Sequence, residues 1–190
     1  MSNDATLDTF FKVLNDTTFA NYHDVGYLLK NVFCADNPAG NPNYPCCGIT
    51  DHGPQFIGAA NISILFNELF TSFSSFASTP PVGAPRLYSP DGATIGIQTT
   101  LTGTQVAQWF GNHALKTLQS PPLSDIMPDG YHLMQVPACS VCVFGDDHLI
   151  TQLSIYTDRY RMMRQLTPPS PSVDANLLAS LFVERALRQL

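Results

Sequence analysis

Charge is scarce in this chain: Asp, Glu, Lys and Arg together make up 13% of its 190 residues, about half the usual share. A surface so poor in charge must be largely neutral polar or apolar, which favours a buried contact between subunits over a lone monomer. What charge there is sums to −6, the wrong sign for phosphate-backbone binding, so nucleic acid is excluded as the main partner. No apolar run approaches the roughly 20 residues that cross a bilayer as a helix. The opening "MSNDATLDTFF" has acids where a secretion signal has lysines. A cytoplasmic protein is expected, with its five cysteines as thiols. Cys139 and Cys142 would point to opposite faces of a strand. The adjacent Cys46 and Cys47 suit neither a bridge nor a zinc pair. These are read as structural thiols in preference to a metal site with His52, and no cofactor or metal is expected.

Apolar residues are plentiful, at 44%, with 11% aromatic, enough for one domain with a full core. "ATLDTFFKVL" (5–14) puts Leu7, Phe10, Phe11 and Leu14 on one helical face. A second helix is expected to carry Phe19, Tyr22, Val25, Leu29 and Val32 or Phe33. "CADNPAGNPNYPCCGITDHGP" (34–54) is too rich in Pro, Gly and Asn for regular structure beyond a short strand or turn. A third helix is expected after Pro54, with Phe56, Ile57, Ile62, Leu65, Phe66, Leu69, Phe70 and Phe73 inward. Strands follow: two hinged at Pro90, Asp91 and Gly92, and two more, "YHLMQVPACSVCVF" and "LITQLSIYT", hinged at 145–147. Residues 111–130 read as an insertion able to act as a lid. After a Pro-rich break, 173–190 read as an amphipathic tail helix. Helices followed by antiparallel strands indicate α+β architecture: a curved sheet wrapped around N-terminal helices (1–168), then linker and tail helix (169–190).

Four phrases in order resemble the nuclear transport factor 2-like superfamily, in its SnoaL-like polyketide cyclase and ketosteroid isomerase branch. They are "VFCAD" (32–36), "HGPQFIGAANISILFNELF" (52–70), "TLTGTQVAQWFG" (100–111) and "VFGDDHLITQLSIYTDRYRMMRQL" (143–166). The resemblance implies a cone-shaped, curved, mostly antiparallel sheet. It also implies cofactor-free proton-transfer chemistry in an apolar cavity. The family's catalytic groups are missing, however. The isomerase pattern meets Asn37 before Pro38, Phe10 or Phe11 on the first helix, and Cys139 two residues after Pro137. The cyclase aspartate falls on Ile155 or Ser154, and its histidine on Gln105.

The remaining acid/base candidates are Asp36 at the exit of the second helix, His52 ahead of the third, and His132 at a strand start. Phe11, Tyr22, Phe66 and Trp109 are expected to line the cavity. Cys139, Val141 and Ile155 are expected there from the sheet side. Asp158, at the end of a strand and before "RYRMMRQL", suits a helix N-cap better than a catalyst. Ser140 lacks a Ser-His-Asp context. The expected function is a lyase, isomerase or cyclase acting on a small hydrophobic molecule, as a homodimer. The alternative is a catalytically silent ligand-binding or dimerising module of the same fold.

Overall fold

The computed structural model describes residues 2–34, 45–49, 55–106, 132–158, 161–162 and 165. Helix α1 spans Asn3–Asn15. Ser2 caps it, its hydroxyl accepting from the Ala5 amide, and Leu7, Phe10, Phe11, Val13 and Leu14 form its buried face. Helix α2 is shorter than the apolar pattern suggested, Val25–Asn31, with Asp24 as its cap. Residues 19–23 are turns, so Phe19 and Tyr22 are outside the helix, and Leu28 rather than Leu29 is its fully buried leucine. The capping aspartate decides the start: its side chain binds the Tyr27 amide, which fixes the first turn there.

Two strands appear where the sequence indicated loop and helix. Cys46–Ile49 forms β1 and Gln55–Ile57 forms β2, so Phe56 and Ile57 precede the third helix instead of opening it. Gly58 makes the turn between them. Its φ of 82° is open to glycine at little cost, and its amide donates to the Pro45 carbonyl at 2.7 Å. Helix α3 then runs Ala59–Ser72 and buries Ile62, Leu65, Phe66 and Leu69. Short β3 (Ala77–Thr79) and β4 (Arg86–Tyr88) lead into the long β5 (Thr94–Gln105), β6 (His132–Phe144) and β7 (Ile150–Thr157).

The strands form one mixed, curved, unclosed sheet in the order β2-β1-β7-β6-β5-β3, with β4 also on β5. Among the described strands, β1 and β7 alone pair in parallel, and an isolated parallel bridge runs from Phe33 to Ile150. The hinge at 90–92 joins β4 to β5, and the one at 145–147 joins β6 to β7, both as the sequence indicated. The α2 exit docks on the start of β7, where Cys34 donates to Ile150 and Ile150 back to Val32. The α3 exit docks on the end of β5, where Phe73 bridges Gln105. A Cβ at Gly103 would sit 2.9 Å from the Phe73 ring, so glycine is what lets the buried ring lie on that strand.

The core lies between the inner sheet face and the helices. Phe10 of α1 meets Phe33 and Phe66 edge-on, at centroid distances of 6.4 Å for both. Each such ring contributes about 1.5–3 kcal/mol by burial. The outer helix and strand ends are tied by side-chain amides acting as strand surrogates. Asn15 grips both the amide and the carbonyl of Ser78, and Gln165 does the same for Gln135 beyond the end of β7. Asp158 is exposed, and its carboxylate accepts from the Arg161 amide at 2.9 Å, which makes it a cap. The insertion 111–130 and the span 169–190 are outside the described residues.

Candidate functional site

The alternation of β5, β6 and β7 sorts their side chains cleanly. Ile95, Ile97, Thr99 and Leu101 of β5 face inward and are buried, as do Met134, Val136, Ala138, Ser140 and Cys142 of β6 and Leu153 and Ile155 of β7. Against this face come Phe10, Phe33 and Phe66 from the helical side. Among the residues whose side chains are described, this interior holds no carboxylate and no histidine, and its ionisable groups there are two thiols. Burial pushes Cys142 up to about 12. Burial also raises Cys47, with the nearby Cys142 and Cys46 adding to the effect. Both stay protonated at neutral pH, so neither is an activated nucleophile or a ready metal ligand. No group of three metal-ligating side chains occurs among the described residues.

The expected site residues divide. Phe66 and Ile155 are buried at 1% and 3% exposure and face the interior. Of the two positions where the cyclase aspartate would fall, Ile155 is therefore the inward one and Ser154 the outward one. Cys139 and Val141 do not line the interior: Cys139 is exposed, and both alternate with the inward Ser140 and Cys142. The strand period of two puts them on the opposite face. Phe11 packs into the core from α1 and also lines an open surface hollow of about 510 Å³ with Asp8, Lys12, Asn15 and Asp16. Tyr22 is half-buried and stacks on His23. His132 pairs with Gln105 at the start of β6. Asp36, His52 and Trp109 lie outside the described residues.

Next to the hollow, Arg86 of β4 is held between Asp4 and Asp8 of α1, and the Tyr88 hydroxyl donates to Asp4 at 3.0 Å. The bond from Arg86 holds the Asp4 carboxyl below its usual range, against the opposing effect of burial. With Asp4 about half exposed, this ties β4 to α1 and adds little net energy.

His23 is the middle of a three-ring stack. Its ring lies 3.8 Å from Tyr22 and 4.0 Å from Phe70 by centroid. Nε2 is 2.9 Å from the Phe76 carbonyl, which requires the Nε2–H tautomer when neutral. Its backbone is left-handed, φ 56°. Burial lowers its pKa below 6.5, against the pull of the Phe76 and Leu14 carbonyls.

Sequence reasoning missed Thr99, and gave Ser140 no role beyond the absent triad. The signal was there: each is a polar residue in phase with inward apolar neighbours, Ile97 and Leu101 in one strand, Ala138 and Cys142 in the other. Both hydroxyls are buried without a hydrogen-bond partner among the described residues.

The chain shares its fold with solved structures described as SnoaL-like polyketide cyclases and polyketide cyclases. A candidate SnoaL-like polyketide cyclase from Jannaschia sp. superposes with a TM-score of 0.58 at 15% identity, covering 88% of this chain and 93% of its own. A candidate polyketide cyclase from Silicibacter sp. gives 0.60 at 14% identity, covering 88% and 96%. The epoxide hydrolase/cyclase-like enzyme SalBIII, with a role in pyran ring formation in the polyether salinomycin, gives 0.58 at 11%, covering 84% and 92%. No protein-family model and no curated protein sequence matches the chain. No helix among the described residues is long and apolar enough to cross a membrane.

The His23 stack sets a pH dependence. The unfolded chain protonates this histidine near 6.5 and the folded chain only at lower pH. The stability its neutral form contributes is thus complete above 6.5 and is lost as pH falls through the lowered folded value. Urea midpoints at pH 7.5 and 5.5 should show this fall. His23→Asn, which tolerates the left-handed backbone, should start lower and lose less between the two conditions. An equal fall in both proteins would remove His23 as the cause.

Proposed function

We propose that this protein takes a small hydrophobic molecule between the inner sheet face and the helices. The observation that carries this is an inner face built of aliphatic, aromatic and small neutral side chains, with every described carboxylate elsewhere. Such an interior can solvate an apolar ligand and has nothing that would repel it. N-phenyl-1-naphthylamine, fluorescent in apolar surroundings, is expected to bind once per chain and to raise the melting temperature as its concentration increases. Ala138→Leu, which fills the inner face, should abolish this binding. Cys139→Leu, one residue away on the outer face, should leave it intact. Loss of stability in Ala138→Leu, with no probe bound by the wild type, would mean that the interior is solid core.

A second reading is favoured by the fold shared with SalBIII and the candidate cyclases. Here the bound molecule is isomerised, cyclised or cleaved without a cofactor, with Asp36, His52 and His132 as proton-transfer groups. Of these, His132 opens β6 opposite Gln105, the last residue of β5. Deuterium exchange at the α-carbon of 2-tetralone tests this directly. The wild type should accelerate exchange, and Asp36→Asn, His52→Gln or His132→Gln should reduce it by about 10²-fold or more. Asp158→Ala, which removes only a cap, should leave it unchanged. Exchange no faster than in buffer supports the silent, ligand-binding module.

We also infer a homodimer through the outer sheet face. Its positions on β5, β6 and β7, among them Gln98, Thr100, Leu133, Cys139, Val141 and Tyr156, carry no charge, and Leu133 and Tyr156 are 63% and 45% exposed. Light scattering should give twice the 20.8 kDa chain mass, and a monomer mass at micromolar concentration would exclude the pairing. The five free cysteines support a reducing, cytoplasmic setting.

A further inference from the structure

Three buried hydroxyls without partners among the described residues lie along one diagonal of the inner sheet face. Ser78 of β3 stands opposite Leu101 of β5. Two residues back along β5 is Thr99, which stands opposite Ala138 of β6. Two residues further along β6 is Ser140, opposite Ile97 on one side and Ile155 on the other. Each hydroxyl-bearing residue is therefore the diagonal neighbour of the next, at a Cβ separation of roughly 5.5–8 Å for such pairs. Ser78, Thr99 and Ser140 are 0%, 1% and 0% exposed, and none of their three side-chain oxygens has a hydrogen-bond partner among the described residues. Thr6 of α1 also has an unpartnered buried hydroxyl, but it does not belong to this row.

A hydroxyl stripped of water and left unbonded destabilises the fold that contains it. At inward strand positions valine or alanine would fill the same volume without that penalty, and valine has the stronger strand preference. Three such hydroxyls in a row thus have no structural role among the described residues. Small side chains accompany them: Ala138 and Cys142 flank Ser140 along β6. The borders are apolar, with Ile97, Leu101 and Ile155 around the two central hydroxyls. A hydroxyl both donates and accepts, so it can serve a carbonyl or a hydroxyl on an incoming molecule.

We propose that this diagonal is the polar recognition strip of the ligand site, with Thr99 and Ser140 bonding an oxygen substituent on an otherwise apolar ring compound. It rests on the small-molecule reading above and specifies the class: oxygenated aromatic or alicyclic rings rather than plain hydrocarbons. A site built to hydrogen-bond a substituent discriminates against the analogue that lacks it, because its buried polar groups are then left unpaired. Thr99 and Ser140 would therefore determine specificity, whichever groups carry out any chemistry.

The test compares 2-naphthol with naphthalene, both fluorescent and differing by one hydroxyl, on the full chain. Wild type should prefer 2-naphthol by about 10-fold, the size of one net hydrogen bond. Ser140→Ala and Thr99→Val should each reduce that preference several-fold, leave naphthalene affinity in place, and melt at or above the wild-type temperature. Thr99→Ser should retain the preference. A preference unchanged in both Ser140→Ala and Thr99→Val, or absent from the wild type, overturns the assignment while leaving the ligand site standing. Lower melting temperatures in both variants with an unchanged preference also overturn it, since the hydroxyls would then be paired internally, for instance by ordered water. If neither compound binds, the ligand-site reading fails and the assignment fails with it.

Discussion

The long antiparallel ladder between β5 and β6, from Thr94 opposite Val143 to Gln105 opposite His132, is the constraint on which the other elements depend. Its register fixes which residues face the helices, because a slip of one position would turn Ile95, Ile97, Leu101, Met134 and Val136 out to solvent. Every further strand is added to its edges: β7 and then β1 and β2 on one side, β3 and β4 on the other. The helices cover the face that this register makes apolar. Phe10, Phe33 and Phe66 interlock over it at ring distances of 5.9–6.4 Å.

The same alternation separates two kinds of surface onto two faces. Inward, the described surface is apolar apart from thiols, hydroxyls and the Gln105 amide, a poor environment for an ionised base. Outward, it is neutral and partly apolar, which fits contact with a second subunit better than bare solvent. The low overall charge of the chain is thus a property of both faces. Its carboxylates serve mainly at edges: Asp4 and Asp8 hold Arg86, Asp24 and Asp158 cap helices, and Asp91 and Asp147 brace turns.

Several details depend on single groups that substitute for regular structure. Asn15 and Gln165 complete strand pairings with side-chain amides. Gly58 supplies a backbone conformation costly for other residues, and His23 occupies a left-handed position while stacked between two aromatic rings. None of these follows from hydrophobic period, and each decides how one element meets the next.

The sequence by itself determined the long elements: α1, the body of α3, and the paired strands β5, β6 and β7 with their hinges, because periodicity over eight or more residues is a strong local signal. It also determined that Asp158 is a cap. Tertiary structure decided the rest. The short strands β1 and β2 exist because β7 offers an edge to pair with, and four residues carry too little pattern to reveal it. The start of α2 followed a cap bond and not the apolar spacing. Cys139 and Val141 went to the outer face because register assigns faces, and register is a property of strands together. The diagonal of Ser78, Thr99 and Ser140 is likewise invisible along the chain, since its members become neighbours only when three strands align.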